Sequence, residues 1–371
     1  MKKKVAILSS GSDSRKDRGY ANSSQNLFLN LQKNDACIVH FYKGDGKQDK
    51  KNSTYVVKNF GKQKWVHRKG NKTGDTFVYE YIIFALCFLF FNFFRRRKYD
   101  AIYTQEPRVS KTLYQLRFLL PGNPLICFGM GVSMDPEHYV NIADRIQIVN
   151  LEHYENAIAQ FPKADKFRLI PNIGSSIKKY IGKESKKALR KQYGVKTSNV
   201  LISIGAINKK IKRMDYIVDE AILLSENWTL VLVGHNQDKE IVEKAEQCLG
   251  DRFIHLFVSP DKIPELYYMS DVAALASYYE GFPNVVLEAS QNKIAPILHD
   301  CKRNRWILKD DMDYLVDMSE PRAISSLLNG KNGDWFQRKG EKAESLYNEN
   351  YSWSALEPKY LELLNVIEKC A

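Results

Sequence analysis

The sequence predicts an α/β protein built from two doubly wound parallel sheets in succession. Short apolar runs, several of them closed by glycine, alternate along the chain with segments of helical periodicity, which is the pattern of repeated β-α units. The 371 residues exceed one ordinary domain and suit two of about 150 to 200 residues. An apolar fraction of 44% is ample for two cores.

The first strand is Val5-Ala6-Ile7-Leu8-Ser9-Ser10-Gly11, and a loop containing Ser12 leads to a helix over Gly19 to Leu31 with Leu27, Leu29 and Leu31. A second strand spans Ala36 to Tyr42, and Tyr55-Val56-Val57 is an apolar island in the basic stretch Lys43 to Lys72. Tyr81 to Phe94 is apolar at every position except Asn92, and Arg95, Arg96, Arg97 and Lys98 close it. At 1.5 Å per residue such a helix rises about 21 Å, short of the roughly 30 Å of a bilayer core. It therefore predicts either a helix lying in a membrane surface with its cations at the headgroups, or one buried on every side against the first sheet. Strands over 101–105, 124–128, 145–149 and 167–170 then alternate with helices over 110–120, 136–143 and 153–160.

The second half opens with a helix over 179–193 and the strand Val200 to Ala206, which contains Gly205. A loop bearing Lys209, Lys210, Lys212 and Arg213 precedes an amphipathic helix, and Trp228 to His235 is a buried strand with Gly234 at its carboxyl end. Strands over 253–258, 272–277 and 293–300 follow, with a helix capped by Asp261 and a final helix over 355–369.

Charge and cysteine usage narrow the function classes. Residues 1–100 hold 21 Lys and Arg against 8 Asp and Glu, so the whole net charge of +13 belongs to the first hundred residues. That predicts an anionic membrane surface as partner through residues 62–98; no nucleic-acid recognition motif accompanies the basic residues. Cys37, Cys87, Cys127, Cys248, Cys301 and Cys370 stand singly without metal-ligand spacing, and no apolar leader follows Met1, so a reducing cytoplasm is expected.

The chemistry concentrates in Tyr278 to Ser290, where Glu280 and Glu288 flank the turn Gly281-Phe282-Pro283-Asn284 and a helix starts near Pro283. A strand, a tight loop and a helix N-terminus in succession aim backbone N–H groups at one point, which suits a phosphate-bearing ligand. Ionised carboxylates beside it accept from vicinal hydroxyls, and the Lys212 loop would neutralise a diphosphate.

On these residues the chain resembles the retaining glycosyltransferases of family 4, which have the GT-B fold, most closely from Gly205 to Pro296. The resemblance implies two Rossmann-like domains facing a cleft: an acceptor domain over 1–172, a nucleotide-sugar domain over 173–355, and a helix over 356–371 crossing back to the first. It implies that Glu288 holds the ribose, while Glu280, Gly281, Phe282, Pro283 and Asn284 hold the donor sugar and diphosphate. Lys212 and Arg213 would meet the phosphates, with Lys212 and Glu280 as the catalytic pair. Gly205 and Gly234 would line the donor, and backbone near Val258 and Ile263 the nucleobase. Gly11, Ser12, Gly19 and Gly129 would lie on the acceptor side. The donor would be a nucleotide-sugar such as a UDP- or GDP-sugar, with no metal and no other cofactor. A lipid-linked or oligosaccharide acceptor at the inner face of a bacterial membrane, in surface polysaccharide synthesis, completes the expectation.

The chain departs from the family pattern at Ala206, which stands where an arginine is usual, and at Gly129-Met130-Gly131, which lacks a cleft histidine. Those departures leave two other classes open: a catalytically inactive GT-B protein that binds carbohydrate or lipid, and a nucleotide-sugar epimerase.

Overall fold

The structure, a computed structural model, describes residues 2–11, 19–57, 78–131, 135–173 and 179–368. The chain divides into two compact units, one joining Met1–Ile173 to Trp353–Ala371 and the other spanning Gly174–Ser352.

The first unit contains β1 (Lys3–Ser9), α1 (Gly19–Leu31), β2 (Cys37–Lys43), β3 (Thr54–Val56), α2 (Val78–Arg95), β4 (Ala101–Thr104), α3 (Pro107–Gln115), β5 (Leu125–Met130), β6 (Arg145–Ile148), α4 (Leu151–Gln160) and β7 (Phe167–Leu169). All strands run parallel in the order β3-β2-β1-β4-β5-β6-β7. Helices cover both faces, which is why Val5 to Leu8 reads as an unbroken apolar run. Ala6, Leu8 and Ile102 pack with Phe84 and Phe88 of α2, whereas Val5 and Ile7 pack with Leu27, Phe28 and Leu31 of α1. The terminal helix, Trp353–Leu363, returns to this second face through Leu356, Tyr360 and Leu363. Its Tyr360 hydroxyl accepts from Gln147 Nε2 at 2.7 Å and donates to the Pro171 carbonyl at 3.0 Å.

The alternative of an α2 buried on every side does not hold. Phe84, Ala85, Phe88, Leu89 and Asn92 are buried on the sheet, while Phe90, Phe93 and Phe94 are exposed, Phe94 by 78%. Arg95, Arg96 and Lys98 are exposed as well, but Arg97 turns inward. It donates to the Tyr42 hydroxyl at 2.9 Å and lies 4.5 Å over the Tyr55 ring, because the Tyr42–Tyr99–His40 chain of hydroxyl and imidazole groups offers it acceptors. Among the described residues no helix is long and apolar enough to cross a membrane. Ser12 and residues 62–77 of the expected membrane-facing stretch lie outside the described residues.

The second unit contains α5 (Lys186–Gln192), β8 (Asn199–Ile204), α6 (Met214–Ile222), β9 (Trp228–Val233), α7 (Lys239–Leu249), β10 (Phe253–Leu256), α8 (Ile263–Met269), β11 (Val272–Leu275), α9 (Asn284–Gln291), β12 (Ala295–His299), α10 (Lys302–Leu308), β13 (Leu315–Val316), α11 (Ala323–Leu328) and α12 (Gly333–Asn350). Its parallel sheet runs β10-β9-β8-β11-β12-β13. The winding reverses between β8 and β11, as it does between β1 and β4 in the first unit. Open α/β sheets bind ligands beyond the carboxyl ends of their strands at such reversals.

Two predicted helices are shorter than expected. Over 136–143 only the turn Pro136–His138 is helical, and Tyr139, Val140, Ile142 and Ala143 beyond it are buried in the core. Over 179–193 the helix starts only at Lys186, where Ser185 Oγ accepts from the Ala188 N–H at 3.2 Å.

Burial, with Arg97 and Lys4 nearby, pushes His40 down to about 4 from its ordinary 6.5. The fold thus prefers the neutral ring, so the stability this group leaves intact above pH 6.5 is lost as pH falls towards 4. Between pH 6.5 and 4.5 the melting temperature of the wild type should therefore drop more steeply than that of His40→Gln, as read by differential scanning fluorimetry.

Candidate active site

At the reversal of the second sheet the loop after β8 meets the loop after β11. The two strand ends beside it come unusually close: a Cβ on Gly234, at φ +150°, would lie 1.8 Å from the Gly205 carbonyl oxygen. Only glycine permits that approach. Asn208 then closes the next turn, its Oδ1 accepting from the N–H groups of Ile211 at 3.0 Å and Lys212 at 2.9 Å. So held, the Lys212 ammonium forms an ion pair with Glu280 Oε1, the two side chains being 21% and 15% exposed.

The other cations of the loop separate. Arg213, in the left-handed region at φ +50°, places its guanidinium 3.9 Å over the Tyr278 ring and donates to the carbonyls of Ala276 at 3.4 Å and Met318 at 2.9 Å. Lys209 is held by Glu240 at 2.9 Å, and Lys210 is exposed.

On the facing side, α9 begins at Asn284 with Pro283 as its N-cap. Glu288 is buried one turn in and accepts from the Tyr267 hydroxyl at 3.3 Å; burial, then the Glu288 charge, raises that phenol well above its usual range. Ser277 Oγ, Asn284 Oδ1, Asn236 Oδ1 and Asp215 Oδ1 are buried without a hydrogen-bond partner among the described residues. All four belong to segments leaving the carboxyl ends of β8, β9 and β11. Native interiors hold few such atoms, and here they line the edge where a polar ligand would bind.

Several expected site residues use their side chains for packing. Phe282 is buried against Trp306 and Tyr351 and Ile263 lies in the core, so these two can meet a ligand only through their backbones; Val258 is partly buried against the same core. In the first unit Gly11 is buried just after β1 and Gly19 opens α1. Gly129 lies inside β5, where a Cβ would stand 2.2 Å from the Tyr103 hydroxyl, so the room it makes is taken by Tyr103 and Gln105 rather than by an acceptor.

Two residues escaped the sequence reading. Glu106, buried where β4 ends, accepts from the Ser10 N–H at 2.9 and 3.1 Å and from Ser10 Oγ at 2.9 Å, at the reversal of the first sheet. Arg303, on α10, is 3% exposed and donates to the carbonyls of Ser277, Tyr278 and Glu280. Sequence offered only a Lys-Arg-Asn-Arg run, which usually marks a solvated face.

A cavity of about 680 Å³ lies at the opposite, amino-terminal edge of β11 and β12. Its cations are already paired, Lys186 and Arg190 with Asp271, and Lys179 and Lys293 with Glu344.

Residues 185–350 match the family model described as Glycosyl transferases group 1. The chain is 34% identical over 106 residues to the amylovoran biosynthesis glycosyltransferase AmsD of Erwinia amylovora, covering 28% of this chain and 30% of that one. It is 27% identical over 146 residues to the N,N'-diacetylbacillosaminyl-diphospho-undecaprenol alpha-1,3-N-acetylgalactosaminyltransferase of Campylobacter jejuni, covering 38% of each. The chain thus spans about a third of the curated relatives it matches. HepE of Anabaena, solved in complex with UDP, superposes with a TM-score of 0.74 at 16% identity over 98% of this chain and all of that one. The two parallel-sheet domains have the GT-B fold.

The approach of Gly234 to Gly205 sets a test. Gly234→Ala combines a backbone clash with a strained φ and should destabilise the second unit by about 2 kcal/mol or more. Urea unfolding would measure it, and Gly250→Ala, at a position with open space around it, is the control for the φ term alone.

Proposed function

We propose that the chain is a retaining glycosyltransferase that moves a hexose from a nucleotide-sugar to a lipid-linked saccharide in bacterial surface polysaccharide synthesis. The Lys212–Glu280 pair at the β8/β11 reversal, beside the start of α9, is the observation that carries this reading. In it, the C1–O bond to the β-phosphate breaks and a C1–O bond to the acceptor hydroxyl forms on the same face of the sugar. The hydroxyl proton leaves to the departing phosphate oxygen. Lys212, Arg213 and the N–H groups opening α9 stabilise the charge that develops there, without a metal. Glu280 orients the sugar hydroxyls, and Glu288 the ribose.

The acceptor side draws on the first unit. Exposed Phe90, Phe93 and Phe94 stand directly before exposed Arg95, Arg96 and Lys98, an apolar wedge with cations at its rim, which suits peripheral docking on an anionic leaflet from the cytoplasm. That the Campylobacter jejuni relative is named for a diphospho-undecaprenol substrate supports a lipid-linked acceptor.

Thermal scans with UDP, GDP and their hexose conjugates should show at least one that raises the melting temperature. With that donor, Glu280→Gln should lower sugar transfer by about 100-fold or more while the protein stays folded; wild-type turnover in that variant would overturn the reading. The anomeric configuration of the product, read by NMR, decides retention. Separately, the wild type should float with phosphatidylglycerol vesicles, and Phe93→Ser/Phe94→Ser should cut the bound fraction severalfold; equal flotation of the two would remove the membrane part.

A further inference from the structure

We propose that Arg303 is a positioning residue for the donor diphosphate, supplying from beneath the Glu280 loop the cation that Ala206 does not. The inference rests on the proposed function.

Arg303 is 3% exposed, yet among the described residues no carboxylate lies within ion-pair distance of its guanidinium. Its donors go to neutral acceptors: Asn304 Oδ1 at 3.2 Å and the carbonyls of Tyr278 and Glu280 at 3.3 Å and Ser277 at 3.4 Å. A desolvated cation without a counter-ion is costly unless an anion shares its surroundings. The nearby Glu280 carboxylate is engaged by Lys212 on the other loop. Burial holds the nearby His299 imidazole below its usual value against the raising effect of Asp317, and its Nδ1 accepts from the Met318 N–H at 3.0 Å.

The hydrogen bonds also fix directions. Among the described residues no cis peptide occurs, and in a trans peptide the N–H of the following residue points opposite to the carbonyl. Arg213 draws the Ala276 carbonyl, and Arg303 those of Ser277, Tyr278 and Glu280. The N–H groups of Ser277, Tyr278 and Tyr279 are therefore turned to the side away from the guanidiniums. Successive amides aimed one way form an anion-binding concavity, and the two arginines behind it add to the same field.

Calorimetric titration of wild type, Arg303→Gln and Arg303→Lys with UDP, GDP and ADP, and with the matching nucleosides, tests this. Arg303→Gln should weaken the diphosphate by about tenfold or more and the nucleoside by less than about twofold, with Arg303→Lys recovering part of the loss. Unchanged diphosphate affinity in Arg303→Gln, or an equal loss for nucleoside and diphosphate, overturns the inference, the latter because the residue would then serve only the loop's fold. Should Arg303→Gln fail to fold, Arg303→Lys decides by the same comparison of diphosphate with nucleoside. A wild-type chain that binds none of the three diphosphates removes the proposed function and this inference together, whereas binding indifferent to Arg303 removes this inference alone.

Discussion

A lysine ammonium and a glutamate carboxylate meeting between two loops govern the carboxyl edge of the second sheet. The loops follow β8 and β11, strands that are hydrogen-bonded neighbours although some seventy residues of chain separate them. Their contact depends on Gly205 and Gly234 letting the strand ends touch, and on Asn208 tightening the turn that carries Lys212. A half-buried pair of this kind adds little net stability, because desolvation offsets most of the attraction. What it supplies is a fixed geometry, and losing either partner would leave the other charge uncompensated.

The first sheet repeats the arrangement with different chemistry. It too reverses between its first and fourth strands, and Glu106 there grips Ser10 through both oxygens. In one unit the acidic group is matched by a cation, in the other by a backbone amide and a hydroxyl.

The glycine-ended strands and the periodic segments between them were legible in sequence because each depends on local spacing. The helix that starts beside Pro283 and the cationic loop of Lys212 were legible for the same reason, since each is visible within a dozen residues. Arg303 was not. Its buried position comes from folding back on carbonyls 23 to 26 positions away, and a basic run gives no sign of which member turns inward. Arg97 repeats the lesson within Arg95 to Lys98, where the tyrosine hydroxyls that recruit it lie on β2 and past the helix end. The side of α2 that stays uncovered depends on the sheet beneath it, so periodicity could state its apolar character but not its exposure. Gly129 looked like an opening for a ligand until Tyr103 was seen to occupy the space.

The terminal helix has a bearing on biosynthesis. Tyr360 and its neighbours complete a core begun by Val5 and Ile7, so the first unit is discontinuous, with the whole of the second inserted between its parts. On a ribosome the inserted unit has all of its strands before the earlier-made one receives its closing helix. Maturation then runs against the order of synthesis, and until that helix is made the leading segment carries an uncovered apolar face on its sheet.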